Sequence, residues 1–196
     1  MKKSLIFATS NIHKLEEVRS ILGWSDDSLQ SLKDISWNEE IEETGDTLEE
    51  NALIKSRTIY SETGRNVFSD DSGLEVIALG MAPGVHTARY AGPHKNADDN
   101  MDKLLDVLKG EKNRRARFRA VVALIWEGKE YLFEGIVNGL IAYEKLGTGG
   151  FGYDPIFIPE GYDQTFAQLD DDIKNGMSHR YRSIDKMRGF LEKLDS

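Results

Sequence analysis

Asp70 and Asp71 stand side by side between the run Asn66-Val67-Phe68 and Ser72-Gly73. Aspartate suits a strand poorly and adjacent like charges repel, so the pair is costly unless a cation or a proton lies between the carboxylates and what they act on. Magnesium relieves that cost, because it takes carboxylate oxygens and keeps waters and phosphates as its other ligands. An Asp-Asp-Ser-Gly turn without chemistry accounts for the same residues.

Three further stretches could do chemistry with it. Thr9-Ser10-Asn11 breaks an apolar run and opens a helical pattern, so with Lys14 it offers a phosphate cradle at a helix N-terminus, or only a helix cap. Gly147-Thr148-Gly149-Gly150-Phe151-Gly152-Tyr153-Asp154-Pro155 holds four glycines in six positions, which excludes a regular element and lets backbone approach a bound molecule; a mobile hairpin loop is the alternative. Ser178-His179-Arg180 stands at the entry to a last amphipathic segment, where a lone basic pair reads as surface. Arg89, among small residues, is free to reach a phosphate or to be an ordinary exposed arginine.

The elements that must position these residues follow from periodicity. Ser4 to Ala8 reads as a buried strand, and Leu15, Val18, Ile21 and Leu22 lie at helical spacing after it. Glu39, Glu40, Glu42 and Glu43 crowd an acidic loop before Thr44-Gly45. Thr47 with Glu50 forms a capping-box pattern that opens a helix to about Ser61, ended by Gly64. The strand ending at Phe68 is expected to break at the Asp pair and to resume at Leu74-Glu75-Val76. Asp98 to Leu108 reads as a scaffold helix. Phe118–Trp126 and Tyr131–Ala142 read as a long hairpin turning at Glu127-Gly128-Lys129. Asp170-Asp171-Asp172 reads as an acidic turn, and Ile184, Met187, Leu191 and Leu194 share one face of a closing helix.

Composition bounds the function. The 196 residues are 39% hydrophobic and carry a net charge of −9, which fits one α/β domain over residues 1–196 and argues against stable nucleic-acid or anionic-membrane binding. With no cysteine, thiolate metal sites, disulfides and a cysteine nucleophile are excluded. The start Met1-Lys2-Lys3-Ser4 looks like a leader, but its apolar run stops after a few residues; with no run long enough for a bilayer, a cytoplasmic protein is expected.

Taken in order, these motifs resemble the inosine triphosphate pyrophosphatases, also called dITP/XTP diphosphatases, over nearly the whole chain. The resemblance rests on Thr9-Ser10-Asn11-Ile12-His13-Lys14 with Glu16 or Glu17, Glu42-Glu43-Thr44-Gly45 with Glu50-Asn51-Ala52, Asp70-Asp71-Ser72-Gly73-Leu74, Pro83-Gly84, Ala88-Arg89-Tyr90, Gly149 to Pro155 and Ser178-His179-Arg180. The chain departs at Gln168, usually acidic in the family, and at Ser183. The resemblance implies a long mixed sheet with flanking helices, two lobes around a central substrate cleft, a homodimer, and magnesium-dependent hydrolysis of ITP, dITP and XTP to monophosphate and pyrophosphate. It implies Glu42 and Asp71 as metal ligands, Asp71 as the base and Asp70 as its support. It assigns Thr9, Ser10, Asn11, Ile12, His13 and Lys14 at the helix N-terminus to the triphosphate, with Lys55 and Arg89 as helpers, and Ser72 to the substrate. Phe151, Gly152, Tyr153, Asp154, Lys174, His179 and Arg180 fall to the purine, with Phe151 stacking and Arg180 or a backbone N–H meeting the 6-oxo group. A pyrimidine-directed pyrophosphatase, a phosphomonoesterase and a non-catalytic nucleotide-binding regulator are the competing readings.

Overall fold

The computed structural model describes residues 4–24 and 28–194. The leader-like Met1-Lys2-Lys3 lies outside the described residues. Six strands form one mixed sheet: β1 (Leu5–Phe7), β2 (Leu29–Ser31), β3 (Val67–Val76), β4 (Arg115–Trp126), β5 (Lys129–Ile141) and β6 (Phe157–Pro159), in the spatial order β2-β1-β3-β4-β5-β6. Five α-helices accompany it: α1 (Ile12–Leu22), α2 (Leu48–Thr63), α3 (Ala97–Val107), α4 (Asp171–Met177) and α5 (His179–Leu194). β1 is parallel to β2 and β3, and β5 is antiparallel to β6. The α/β class with a mixed sheet and flanking helices is as expected. No helix among the described residues is long and apolar enough to cross a membrane.

The chain divides into two compact units. The first comprises Met1–Asp71, Ala120–Gly135 and Arg180–Ser196, and the second Ser72–Arg119 and Ile136–His179.

In the first unit, strand alternation sets two layers of helix against the sheet. Leu5, Phe7, Phe68, Val122 and Leu124 pack with Leu15, Val18 and Leu22 of α1 and with Ile184, Met187 and Leu191 of α5. Their odd-man neighbours Ile6, Ala8, Val67 and Ile125 face the other way, against Leu32 and Ile59 of α2. Phe7 and Phe68 stack at 4.5 Å between ring centres across the β1–β3 pairing. The β4–β5 hairpin turns through Glu127 and Gly128, both at positive φ (48° and 79°), the two-residue geometry that matches strand twist.

In the second unit, Leu74 and Val76 of β3, Met101 and Leu104 of α3, Phe118 of β4 and Val137 and Ile141 of β5 close a core with Tyr153, Phe157 and Phe166. Arg114 ties that unit's loops by donating to the carbonyls of Leu108 and Ile141, each at 3.0 Å, and of Ala142.

Two expectations are corrected. The chain does not turn at the Asp pair: β3 runs unbroken from Val67 to Val76, because each aspartate finds a buried cation, described below. A Cβ on Gly73 would come within 2.4 Å of the Gly84 carbonyl oxygen, so this strand position admits only glycine without backbone movement. The acidic turn at Asp170-Asp171-Asp172 is instead the start of α4, with Asp170 in the extended cap conformation. Acidic residues suit the positive end of a helix dipole as well as they suit a turn.

Candidate active site

The first motif is built as a helix entry. Asn11 caps α1, its side-chain oxygen accepting from the backbone N–H groups of His13 (3.0 Å) and Lys14 (3.3 Å), while the Thr9 hydroxyl accepts from the Asn11 N–H at 3.2 Å. Ser10, Asn11, Ile12 and His13 are exposed around that N-terminus and Thr9 is half-buried. Capping and anion binding use the same end of the helix, and the cap satisfies only part of its N–H set.

Strand alternation then divides the aspartates. Asp70 shares the face of Phe68 and meets α1 and α5; Asp71 shares the face of Val67 and Ser69 and meets α2. Asp70 is 1% exposed, and its Oδ2 takes the Lys14 Nζ at 3.2 Å and the Arg180 Nε at 2.9 Å. Arg180, equally buried, also donates through Nη1 to Glu17 of α1. Burial alone pushes the Asp70 carboxyl up, but Lys14, Arg180 and Lys55 together outweigh it and hold the group ionised, well below the usual range. Burial lowers Lys14, with Asp70 opposing that shift.

Asp71 is held more loosely. Its Oδ1 lies 3.6 Å from the Lys55 Nζ, and that ammonium sits closer, at 2.6 Å, to Oε1 of Glu43. Burial raises the Asp71 carboxyl above its ordinary value against the pull of Lys55 and Lys14, and Glu43 and Asp70 add to the rise. Lys55 is pushed down by burial and, more strongly, up by Asp71, Glu43 and Asp70 together, so it stays charged. The two neighbours are thus tuned apart, a fixed anion beside a more basic carboxylate.

The donor chemistry fits a divalent cation bound jointly with phosphate. Asp70 Oδ1 is a buried carboxylate oxygen without a hydrogen-bond partner, and the exposed Glu42 lies next to Glu43 in the chain. No group of three or more His, Cys, Asp or Glu that could hold a metal occurs among the described residues. One or two carboxylates, with phosphate oxygens and waters completing the shell, are what magnesium commonly takes.

The second unit carries its own polar centre. Asp154 Oδ2 accepts from the Phe151 N–H at 2.7 Å and from Lys174 Nζ at 2.6 Å, and that ammonium lies 4.9 Å from the centre of the Phe151 ring. Gly150 makes the arrangement possible, since a Cβ there would stand 2.2 Å from the same carboxylate oxygen. Tyr153 donates its hydroxyl to the Thr87 carbonyl at 2.8 Å, and burial pushes its phenol well above the usual range. His179 stacks on Phe118 with ring centres 4.8 Å apart. Gly152 adopts φ 64°, Ser72 is half-buried on β3, and Arg89 is exposed at the end of a 3-10 stretch over Gly84–Arg89.

Gln168, the departure from the usual acid, accepts from the Thr165 N–H at 3.0 Å, a contact that an amide oxygen makes as well as a carboxylate does. Reading His179 and Arg180 as a surface pair fails, because both are buried at the start of α5. Sequence reasoning left Glu16 and Glu17 undecided. Glu17 is the buried partner of Arg180, whereas Glu16 is exposed beside His13. It passed over Glu43, whose only signal was its place in the second motif.

A model of the Ham1 family matches residues 5–190. The chain belongs to the Ham1 family. Among its Ham1 relatives, a protein of Flavobacterium johnsoniae named dITP/XTP pyrophosphatase is 50% identical over 187 residues, covering 95% of this chain and 97% of the relative. One of Bacillus subtilis with the same name is 45% identical, covering 97% and 98%. The solved Ham1 protein of Staphylococcus aureus superposes with a TM-score of 0.89 at 38% identity, covering 98% of this chain and all of that one. A nucleoside-triphosphatase, dITP/XTP pyrophosphatase, of Mycobacterium abscessus gives 0.77 at 41% identity, covering 94% and 98%.

Proposed function

We propose that this Ham1 chain hydrolyses the non-standard purine nucleoside triphosphates ITP, dITP and XTP to monophosphate and pyrophosphate with Mg2+, as a cytoplasmic homodimer that removes them from the nucleotide pool. The observation that supports it most is the division of the Asp pair: Asp70 locked as an anion by Lys14 and Arg180, Asp71 left raised and loosely held beside Lys55. The names of its relatives agree with that reading.

Thr9, Ser10, Asn11, Ile12 and His13 at the α1 N-terminus, with Lys14, Lys55 and Arg89, are assigned to the triphosphate, whose charge suits N–H groups and ammonium ions. The water oxygen bonds to the α-phosphorus as the bond from that phosphorus to the α–β bridging oxygen breaks. Asp71 receives the water's proton, and pyrophosphate leaves with the electron pair. Magnesium, held by Asp71 and Glu42, would supply charge neutralisation at the phosphate oxygens and acidify the water.

Phe151 is assigned to stacking on the purine, with Gly152, Tyr153, Asp154, Lys174 and His179 in the same recognition set and Ser72 as a further substrate contact. A donor at the purine 6-position favours the oxo group of hypoxanthine and xanthine over the adenine amino group. Arg180 is assigned first to holding Asp70.

The test is the product. Purified chain with ITP, dITP, XTP and the standard triphosphates, each with magnesium, is expected to release pyrophosphate fastest from the first three and to stop in excess EDTA. Orthophosphate as product means a phosphomonoesterase, preference for dTTP or UTP means a pyrimidine enzyme, and binding without turnover means a regulator; each overturns the proposal.

A further inference from the structure

Glu43 has no part in the chemistry assigned above, yet it makes the shortest ion pair around Asp71. Its Oε1 is 2.6 Å from Lys55 Nζ, against 3.6 Å from that nitrogen to Asp71 Oδ1. Lys55 projects from the buried face of α2, and its ammonium donates to Glu43 of the loop that precedes that helix. That loop is anchored at its far end: the Asn51 side-chain oxygen accepts from the Gly45 N–H at 2.8 Å, and Glu50 accepts from Asp46 N–H at 2.8 Å. A Cβ at Gly45 would meet Glu50 Cβ at 2.6 Å, so the close seating of the loop on α2 depends on that glycine.

We propose that Glu43 is a positioning residue that holds Lys55 off Asp71. An ammonium in direct contact with Asp71 would occupy lone pairs that the carboxylate needs for a proton and a cation. Drawn to Glu43 instead, Lys55 keeps its charge near the site while Asp71 stays available. Glu43 therefore acts through Lys55 and touches neither substrate nor the reacting atoms. The inference rests on the pyrophosphatase reading only for its kinetic consequence; the position of Lys55 can be read without it.

The experiment is a double-mutant cycle with a structure. Glu43→Ala is expected to lower kcat for ITP on the order of ten- to a hundredfold, the usual cost of removing a partner that orients a functional group, with KM moved less than about threefold. Glu43→Gln, which keeps an acceptor for Lys55, is expected to restore part of the loss. In a Lys55→Met background, Glu43→Ala is expected to cost less than about twofold, because its effect passes through Lys55. Losses that multiply in the double variant overturn the inference, as does recovery of Glu43→Ala by raised magnesium, which would make Glu43 a metal ligand. The crystal structure of Glu43→Ala is expected to show Lys55 Nζ within hydrogen-bonding distance of Asp71; an unmoved Lys55 also overturns it. Absence of pyrophosphate from the unmodified chain would instead sink the functional reading, while the crystallographic arm still decides the role of Glu43.

Discussion

The two units each bury a carboxylate–cation centre, and the two are built on different principles. In the first, Lys14 and Glu17 of α1, Asp70 of β3 and Arg180 of α5 come from regular elements and interlock as two anions and two cations. In the second, Asp154 pairs with Lys174, and its carboxylate also accepts from backbone, the Phe151 N–H of a glycine loop. The first arrangement fixes charge on rigid scaffolding. The second fixes the path of a loop, so charge there serves conformation.

Three substitutions can break or sharpen that contrast. The largest expected effect belongs to Asp71→Asn, which removes the proposed base and a cation ligand: pyrophosphate release from ITP should fall by three orders of magnitude or more, on the order of the losses seen when a catalytic group is removed. Near-normal release would mean that the loosely held aspartate is not the reactive one. Next, Arg180→Ala leaves Asp70 and Glu17 buried with only part of their compensation, which costs about 3–5 kcal/mol. Urea unfolding measures it, and a loss below about 1 kcal/mol would show that the interlocked centre is no more than a neutral ornament of the core. The smallest is Gly150→Ala, whose Cβ must displace the Asp154 carboxylate at a backbone φ of 71°. It should cost about 1–3 kcal/mol and, under the proposed function, weaken binding of ITP, read as a raised KM, while leaving binding of bare tripolyphosphate unchanged. Equal losses with both would tie the loop to the phosphate chemistry and erase the contrast.

Much of the scaffold could be read from local residues because local residues build it. The capping box of Thr47 and Glu50, the Asn11 cap, Gly64 and the Glu127-Gly128 turn all act within a few positions of themselves. The Asp pair could not be placed that way. What keeps it in a strand is supplied by Lys14, Lys55 and Arg180, up to 110 positions away, and no window of sequence contains both the cost and its compensation. The burial of Arg180 was hidden for the same reason, since a basic residue at a helix start looks solvated until its two acids are found. The family motifs carried information that periodicity lacked, naming Lys14, Asp70 and Arg180 together, while leaving Glu43 and the choice of Glu17 over Glu16 to the fold.

The first unit's core also joins segments far apart in the chain, with Leu5 and Phe7 packed in one cluster with Ile184, Met187 and Leu191. A polypeptide is made from its N-terminus at about 5–20 residues per second, so β1 leaves the ribosome well before α5 exists. Until α5 has been made, the face that it will cover stays open to water and to other nascent chains. Translation delivers the residues around Asp70 early, but their final counter-charge, Arg180, arrives only with that last helix.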